Sequence, residues 1–388
     1  VCFRKTIEDN STNLQMNNVI LLQKKVVEMN KNLFSSAQFI LWLAFLVAFP
    51  GCSEEVQRSL KSVPTAFGKV NQLIVVADED LWESEVGDTF RYYYSAAYPI
   101  LPQPEPIFDL KHFTPSDLIS DPLRKELRNY LFLANMDDNE SATTQLILKD
   151  IGEEKVRRAK EEPKYNTSVG RDKWAKGQLL IYQFGFSRDE LIKNVKQNFP
   201  AISKKINEAD KKKIEATVYL DGENELMKEK LRGLIGVNLR IPNDYIMASD
   251  SPDMIWLRKE TYETSSNILL RKLPYTDQTQ LTKAGIKEIR NELGKNISSE
   301  IPDTYMKIND IDLPMLSNVK TMNNYYAVEA RGIWELANDY MGGAFVSYLI
   351  HNPTSNELLF VDGFVHAPGK DKREYMQYLE HIISSVKF

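Results

Sequence analysis

Cysteine is nearly absent from this chain: its 388 residues include two, Cys2 and Cys52. If Cys2 lies outside the mature product, no disulfide can form within it. Histidine is almost as scarce. The four residues, His112, His351, His366 and His381, show no metal-ligand spacing and no HExxH. A run of about twenty apolar residues, which a membrane-spanning helix needs, is also missing. An excess of basic charge is missing too. The chain has 49 Lys and Arg against 54 Asp and Glu; without the five and three in residues 1–51, 44 and 51 remain, a net of −7. That balance argues against a nucleic-acid partner and against a polybasic contact with anionic lipid. There is no GxSxG, Walker loop or GxGxxG, so no common nucleophile or phosphate cradle is announced, and no cofactor is implied. No internal repeat is visible.

What the chain does have is FILWLAFLVAFPGC at 39–52. The eleven apolar residues 39–49 suit the apolar region of a secretory signal peptide. Met29 stands ten residues before them with Lys31 between, a start and a weakly positive leader. Gly51 directly before Cys52 resembles the lipobox of bacterial lipoproteins, where the Cys is acylated on sulfur and becomes residue one. Phe49 and Pro50 depart from the Leu and Ala or Ser usual in that motif. The expectation is upstream translation over 1–28, a signal peptide over 29–51, and a lipidated tether over 52–67 with palmitate-type acylation at Cys52. A short buried helix with an incidental Cys is the alternative. Each buried methylene adds about 0.8 kcal/mol, so two acyl chains give stable anchoring. Ser53-Glu54-Glu55 resembles an acidic export signal of some Bacteroidota lipoproteins; a solvated spacer explains it equally.

The remainder reads as two α/β-layered domains, 68–236 and 237–388, of an α+β fold. In the first, 72–77 is a buried strand by its continuous apolar run. Asp78-Glu79-Asp80 follows, then a helix over 81–97 with Asp80 and Glu83 as a capping box. The prolines of LPQPEP at 101–106 force extended chain. Strands are expected at 107–113, 130–135 and 178–186, with a further one at 145–148, and a short helix near 115–120. The charged segment 153–176 reads as a loop or insertion. Ser187 and Glu190 form a second capping box. Lysines at 204, 205, 211, 212 and 213 suggest a solvated helix face or an acidic partner, and 224–234 extends the helical region. In the second domain, 239–242, 245–248, 254–259 and 267–273 read as short strands. A helix spans 279–293. Strands at 325–336, 344–351 and 357–365 precede a mostly apolar-faced helix over 371–386.

Several stretches together resemble one family. They are DEDLWESEVGD (78–88), PILPQPEPIFDLKHFTP (99–115), KWAKGQLLIY (173–182), IWLRKE (255–260), ARGIWELANDYMGGAFVSYL (330–349) and FVDGFVHAPGKDKREYMQYLE (360–380). They are similar to an uncharacterised family of Bacteroidota envelope lipoproteins, domain of unknown function four-eight-three-seven. The resemblance implies a lipoprotein address at the outer membrane and a shared fold across the mature chain. It brings no catalytic residues. The second half also resembles, in its order of elements, the Mog-one/photosystem-P type of α/β/α sandwich, a likeness of pattern that would not fix function.

For a site, the most suggestive cluster is Arg331, Trp334, Asp339, Tyr340, Gly342, Gly343, His366, Lys370, Lys372 and Arg373. Strand alternation puts Arg331 and Trp334 on opposite faces. The loops at 339–343 and 367–370 are placed to meet at the sheet end, where binding loops concentrate. Alternatively, Trp334 belongs to the core, Gly342-Gly343 to a turn, and Lys372 and Arg373 to a solvated first helical turn. No catalytic, metal or cofactor-binding residue is assigned. The leading expectation is a non-enzymatic, lipid-anchored envelope protein that binds a protein or glycan. An envelope hydrolase using Asp78, Asp80 or Asp339 is a second reading, since paired carboxylates serve acid and base roles. A periplasmic carrier with a deep apolar pocket is a third.

Overall fold

The computed structural model describes residues 63–251 and 253–388. The apolar run at 39–49, the Cys52 lipidation site, the signal peptide and most of the tether lie outside the described residues. The described chain from Pro64 to Phe388 forms one compact unit around two separate sheets.

The first sheet and its helices follow in order. They are β1 (Gln72–Val76), α1 (Glu79–Trp82), α2 (Glu85–Tyr94), β2 (Asp109–Phe113), α3 (Pro115–Ser120) and β3 (Asn129–Asn135). Then come α4 (Ala142–Ile151), α5 (Glu153–Glu161), β4 (Thr167–Arg171), β5 (Leu179–Gly185) and α6 (Arg188–Val218). The strand order is β2-β1-β3-β5-β4, all parallel except the edge strand β4. Helices cover both faces, which is why the inner strands carry consecutive apolar residues on both faces instead of alternating, with Gln183 of β5 a buried polar exception. Leu73, Val75, Leu131, Leu133, Leu179 and Ile181 meet α2 and the first half of α6. Ile74, Val76, Tyr130, Phe132 and Leu180 face α4 and α5.

The second sheet has eight strands. After α7 (Glu225–Ile235) come β6 (Ile246–Ser251), β7 (Met254–Glu260), β8 (Ser265–Pro274), α8 (Lys283–Gly294), β9 (Tyr305–Asn309) and β10 (Leu316–Met322). β11 (Tyr325–Ala337), β12 (Gly342–Asn352), β13 (Glu357–His366) and α9 (Arg373–Ile383) complete it. The order is β10-β11-β12-β13-β8-β7-β6, with β9 beside the far end of β11, and every pairing is antiparallel. α7, α9 and the end of α6 cover one face; α8 covers the other. The fold is α+β.

α6 joins the two cores. Its 31 residues span about 46 Å at 1.5 Å per residue. Leu191, Val195, Ile202 and Ile206 belong to the first core, and Ile214 and Val218 to the second.

Several elements differ from the sequence reading. The helix expected over 81–97 is two helices. Ser84 interrupts it and caps α2 through Val86 N–H (3.2 Å). Asp80 and Glu83 form no capping box; Asp80 pairs with Arg188 (3.3 Å). The strand at 145–148 lies inside α4, whose cap Ser141 accepts from Thr144 N–H (3.0 Å). The loop at 153–176 holds α5 and β4. Ser187 caps α6, but Glu190 accepts from Phe186 N–H rather than from the cap residue itself. Residues 239–242 bury Leu239 and Ile241 without joining a ladder. α7, expected to extend the first domain, packs Leu231 and Ile235 into the second core. β9 and β10 carry no apolar run and were not expected.

Candidate functional site

A concavity lies where the two halves meet. It is a cavity of about 440 Å³ between α9 and the first half, continued by a second of about 320 Å³. Lys69, Glu374 and Tyr378 line both, so the two form one trough. Asp109 at the start of β2, Lys370 and Arg373 wall one end; Lys213 and Thr217 of α6 wall the other.

Local sequence explains how this wall is built. α9 begins at Lys372, a residue with no capping side chain of its own. Its first N–H groups are satisfied by the other half: Glu105, in the proline-stiffened LPQPEP, accepts from Lys372 N–H (2.6 Å) and Arg373 N–H (2.9 Å). A carboxylate there also complements the helix dipole. Arg373 reaches back to Asp109 (2.7 Å) and to the carbonyl of Pro106. Lys372 and Arg373 are therefore buried, not a solvated first turn. Deeper in the joint, the Asn71 and Gln377 amides pair reciprocally (2.8 and 2.9 Å). Asp210 of α6 accepts from Asn71 N–H, Arg128 and Asn129. Burial pushes the Asp210 carboxyl up, against the Arg128 charge that pulls it down.

A second polar cluster sits between α9 and β11. Arg331 bridges Glu329 (3.1 Å) and Glu380 (2.6 Å), and Tyr98 from the first half donates to Glu380 (2.7 Å). Burial raises the Glu329 carboxyl, yet hydrogen bonds from Arg331 and Lys320 hold it below its ordinary value. Burial opposes the Arg331 charge, and Glu380 more than restores it. Glu329 is thus a locked acceptor, with no proton to give at neutral pH.

The residues expected to form one site divide into two groups. Trp334, Gly342, Gly343 and His366 do come together at the end of the second sheet. Trp334 is buried, donating through Nε1 to the carbonyl of Val365 (3.2 Å), and His366 Nδ1 lies 3.2 Å from the carbonyl of Gly342. Gly343 is needed for close approach: a Cβ there would stand 1.9 Å from the Val365 oxygen. Neither glycine is the turn, which Asn338 makes with φ at +63°. Asp339 accepts from Tyr340 N–H (2.7 Å), and Tyr340 is fully exposed at the hairpin tip. Lys370, Lys372 and Arg373 belong instead to the joint, where Lys370 and Arg373 line the trough. Arg331 and Trp334 do lie on opposite faces, one toward α9 and one toward α8.

The sequence reading passed over Lys69, Glu105, Asp109, Glu374 and Tyr378. Glu105 alone carried a signal, an acid held between two prolines. The acids of the hydrolase reading divide between the two sheets, with Asp78 and Asp80 after β1 and Asp339 after β11. Asp78 accepts from Ser141 and from Thr143 N–H (3.3 Å) at the start of α4, while Asp339 sits in the β11–β12 hairpin of the other sheet. Among the described residues, no three His, Cys, Asp or Glu gather to hold a metal, and no helix is long and apolar enough to cross a membrane.

No curated protein matches the chain. Among solved structures it is similar to the Ran-binding protein Mog1p of Saccharomyces cerevisiae, at 12% identity over 39% of this chain and 89% of that one, with a TM-score of 0.26. A mutant of protein Mog1 matches at 13% identity, with the same coverage and TM-score. Two family models match, and they divide between them the stretches attributed above to one family. Residues 66–219 match a domain of unknown function, DUF8532, and residues 224–385 match another, DUF4837. The match to DUF8532 thus ends with α6, and the match to DUF4837 begins at α7.

Proposed function

We propose that this is a lipid-anchored protein of the cell envelope, tethered at the outer membrane through Cys52, whose folded part binds a partner in the trough between its two halves. The observation that carries the binding site is the trough's composite wall. Lys69 and Asp109 come from one half, Lys370, Glu374 and Tyr378 from the other. A ligand seated there touches both halves at once. Charges of both signs favour a segment of an envelope protein. A glycan is the second reading, favoured by Tyr375 and Tyr378, whose rings offer flat apolar surface beside hydrogen-bonding groups. The polar wall does not suit a carrier of apolar cargo. The hydrolase reading finds Asp78 hydrogen-bonded, Asp80 ion-paired with Arg188, and Asp339 on the other sheet.

The test is affinity capture of the membrane-anchored protein from its own envelope, with peptidoglycan and glycan fragments screened in parallel. The expected result is a reproducible ligand whose retention falls at least about tenfold in Lys69→Glu and Tyr375→Ala, a change of about 1.4 kcal/mol. Equal retention by both variants would overturn the trough as the site. Fractionation of Cys52→Ser tests the anchor: the protein should leave the membrane fraction.

A further inference from the structure

Sheet edges expose unpaired N–H and C=O groups, and folded proteins blunt them with bulges, charges or covering segments. One edge of the second sheet is blunted in this way. β6 carries a bulge between Met247 and Ser249, and Lys230 of α7 pairs with its Asp250 (2.8 Å). The opposite edge is not. β10 pairs in unbroken register with β11 from Leu316↔Arg331 to Met322↔Tyr325 and has no other strand partner among the described residues. It holds no proline and no bulge, and Val319 at its centre is 65% exposed. Its single charge, Lys320, is paired with Glu329 of the same chain.

We propose that β10 is a self-association edge, on which a second copy of this chain adds its own β10, antiparallel, about a twofold axis through Val319. The seven residues LSNVKTM suit this pairing read from either end. With Val319 facing its own copy, Leu316 faces Met322, Ser317 faces Thr321 and Asn318 faces Lys320. Apolar side chains meet apolar ones and polar meet polar. Side chains alternate between faces, so each opposed pair also lies on one face of the joined sheet. Charge is compatible as well. Lys320 meets Asn318 of the second copy rather than another lysine, and Glu329 already neutralises it. Like charges directly opposed would destabilise such a pair. Seven residues of ladder bury less than a standard interface of about 1,200–2,000 Å². The pair is therefore weak in dilute solution and best captured by a covalent trap.

The trap is Val319→Cys in the full chain with Cys2→Ser and Cys52→Ser, so that position 319 holds its only thiol. Antiparallel partners lie about 4.5–5.5 Å apart at Cα, within the roughly 4.4–6.8 Å that a disulfide accepts. Mild oxidation should convert this variant to a covalent dimer in far higher yield than Tyr262→Cys, a more accessible thiol in the turn between β7 and β8. In sedimentation equilibrium, Val319→Lys should weaken association at least about tenfold while leaving the melting curve unchanged, since its side chain is exposed. Equal crosslinking at positions 319 and 262, or association untouched by Val319→Lys, would overturn the proposal.

Discussion

Buried charge is where single residues matter most in this molecule. Arg290 and Asp362 form an ion pair (3.0 Å) with essentially no solvent exposure, stacked on Phe345 and joined by Ser347. Taking two ions out of water costs about as much as their attraction returns, whereas removing one leaves the other stranded. Asp362→Asn or Arg290→Met alone should lower unfolding free energy by about 3–5 kcal/mol, and the pair Arg290→Met with Asp362→Leu by much less. Urea denaturation of the three variants checks this; additive losses would count against it. Glu329 links stability to pH. Its carboxyl is held below the ordinary value of 4.5, so its contribution is complete above that pH and is lost as pH falls through the lower folded value. Asp210 runs the other way: its raised carboxyl contributes below the unfolded value and loses that as pH rises through the folded one. Glu329→Gln should therefore lose less stability than the parent between pH 7 and pH 3, read as the shift in urea midpoint.

At the scale of elements, α9 depends on a residue from the other half of the chain. Glu105 supplies the cap that Lys372 cannot, so Glu105→Gln should destabilise the first turn of α9 by about 0.5–2 kcal/mol. Faster amide exchange at Lys372 and Arg373, with α8 unchanged, is the expected signature. Elements with strong local patterning were legible in the sequence. The runs at 72–77 and 178–186 are strands because both their faces are covered, and 371–386 shows its apolar face plainly. β10 was not legible, because an edge strand with exposed side chains has no reason to be apolar; β9 is too short to show a pattern beyond its two buried residues, Met306 and Ile308. α5 and β4 were hidden for a related reason: α5 buries little besides Val156 and Ala159. The candidate site was half legible. Lys372 and Arg373 stood out as charges near a helix start, but their partners Glu105 and Asp109 lie more than 260 residues away in sequence. No local pattern encodes that meeting.

As a whole, the molecule should unfold as one cooperative body despite its two sheets. α6 contributes to both cores, Tyr98 and Glu105 cross from one half to the other, and the amide pair of Asn71 and Gln377 closes the joint. Leu133→Ala in the first core and Leu270→Ala in the second should each cost about 2–5 kcal/mol and lower the same calorimetric transition. Two resolved transitions, each sensitive to only one substitution, would show that the halves melt separately.

The reach of α6 also bears on what the peptide bond between the halves is for. The link between α6 and α7 runs through residues 219–224, where Leu220 is largely exposed. The last turns of α6 are already embedded, through Ile214 and Val218, in the other half's core. Chain continuity at Asp221-Gly222 is then largely redundant with shape. Two fragments produced separately and cut at that point should find each other, reassemble by complementation and behave as a nicked but whole protein.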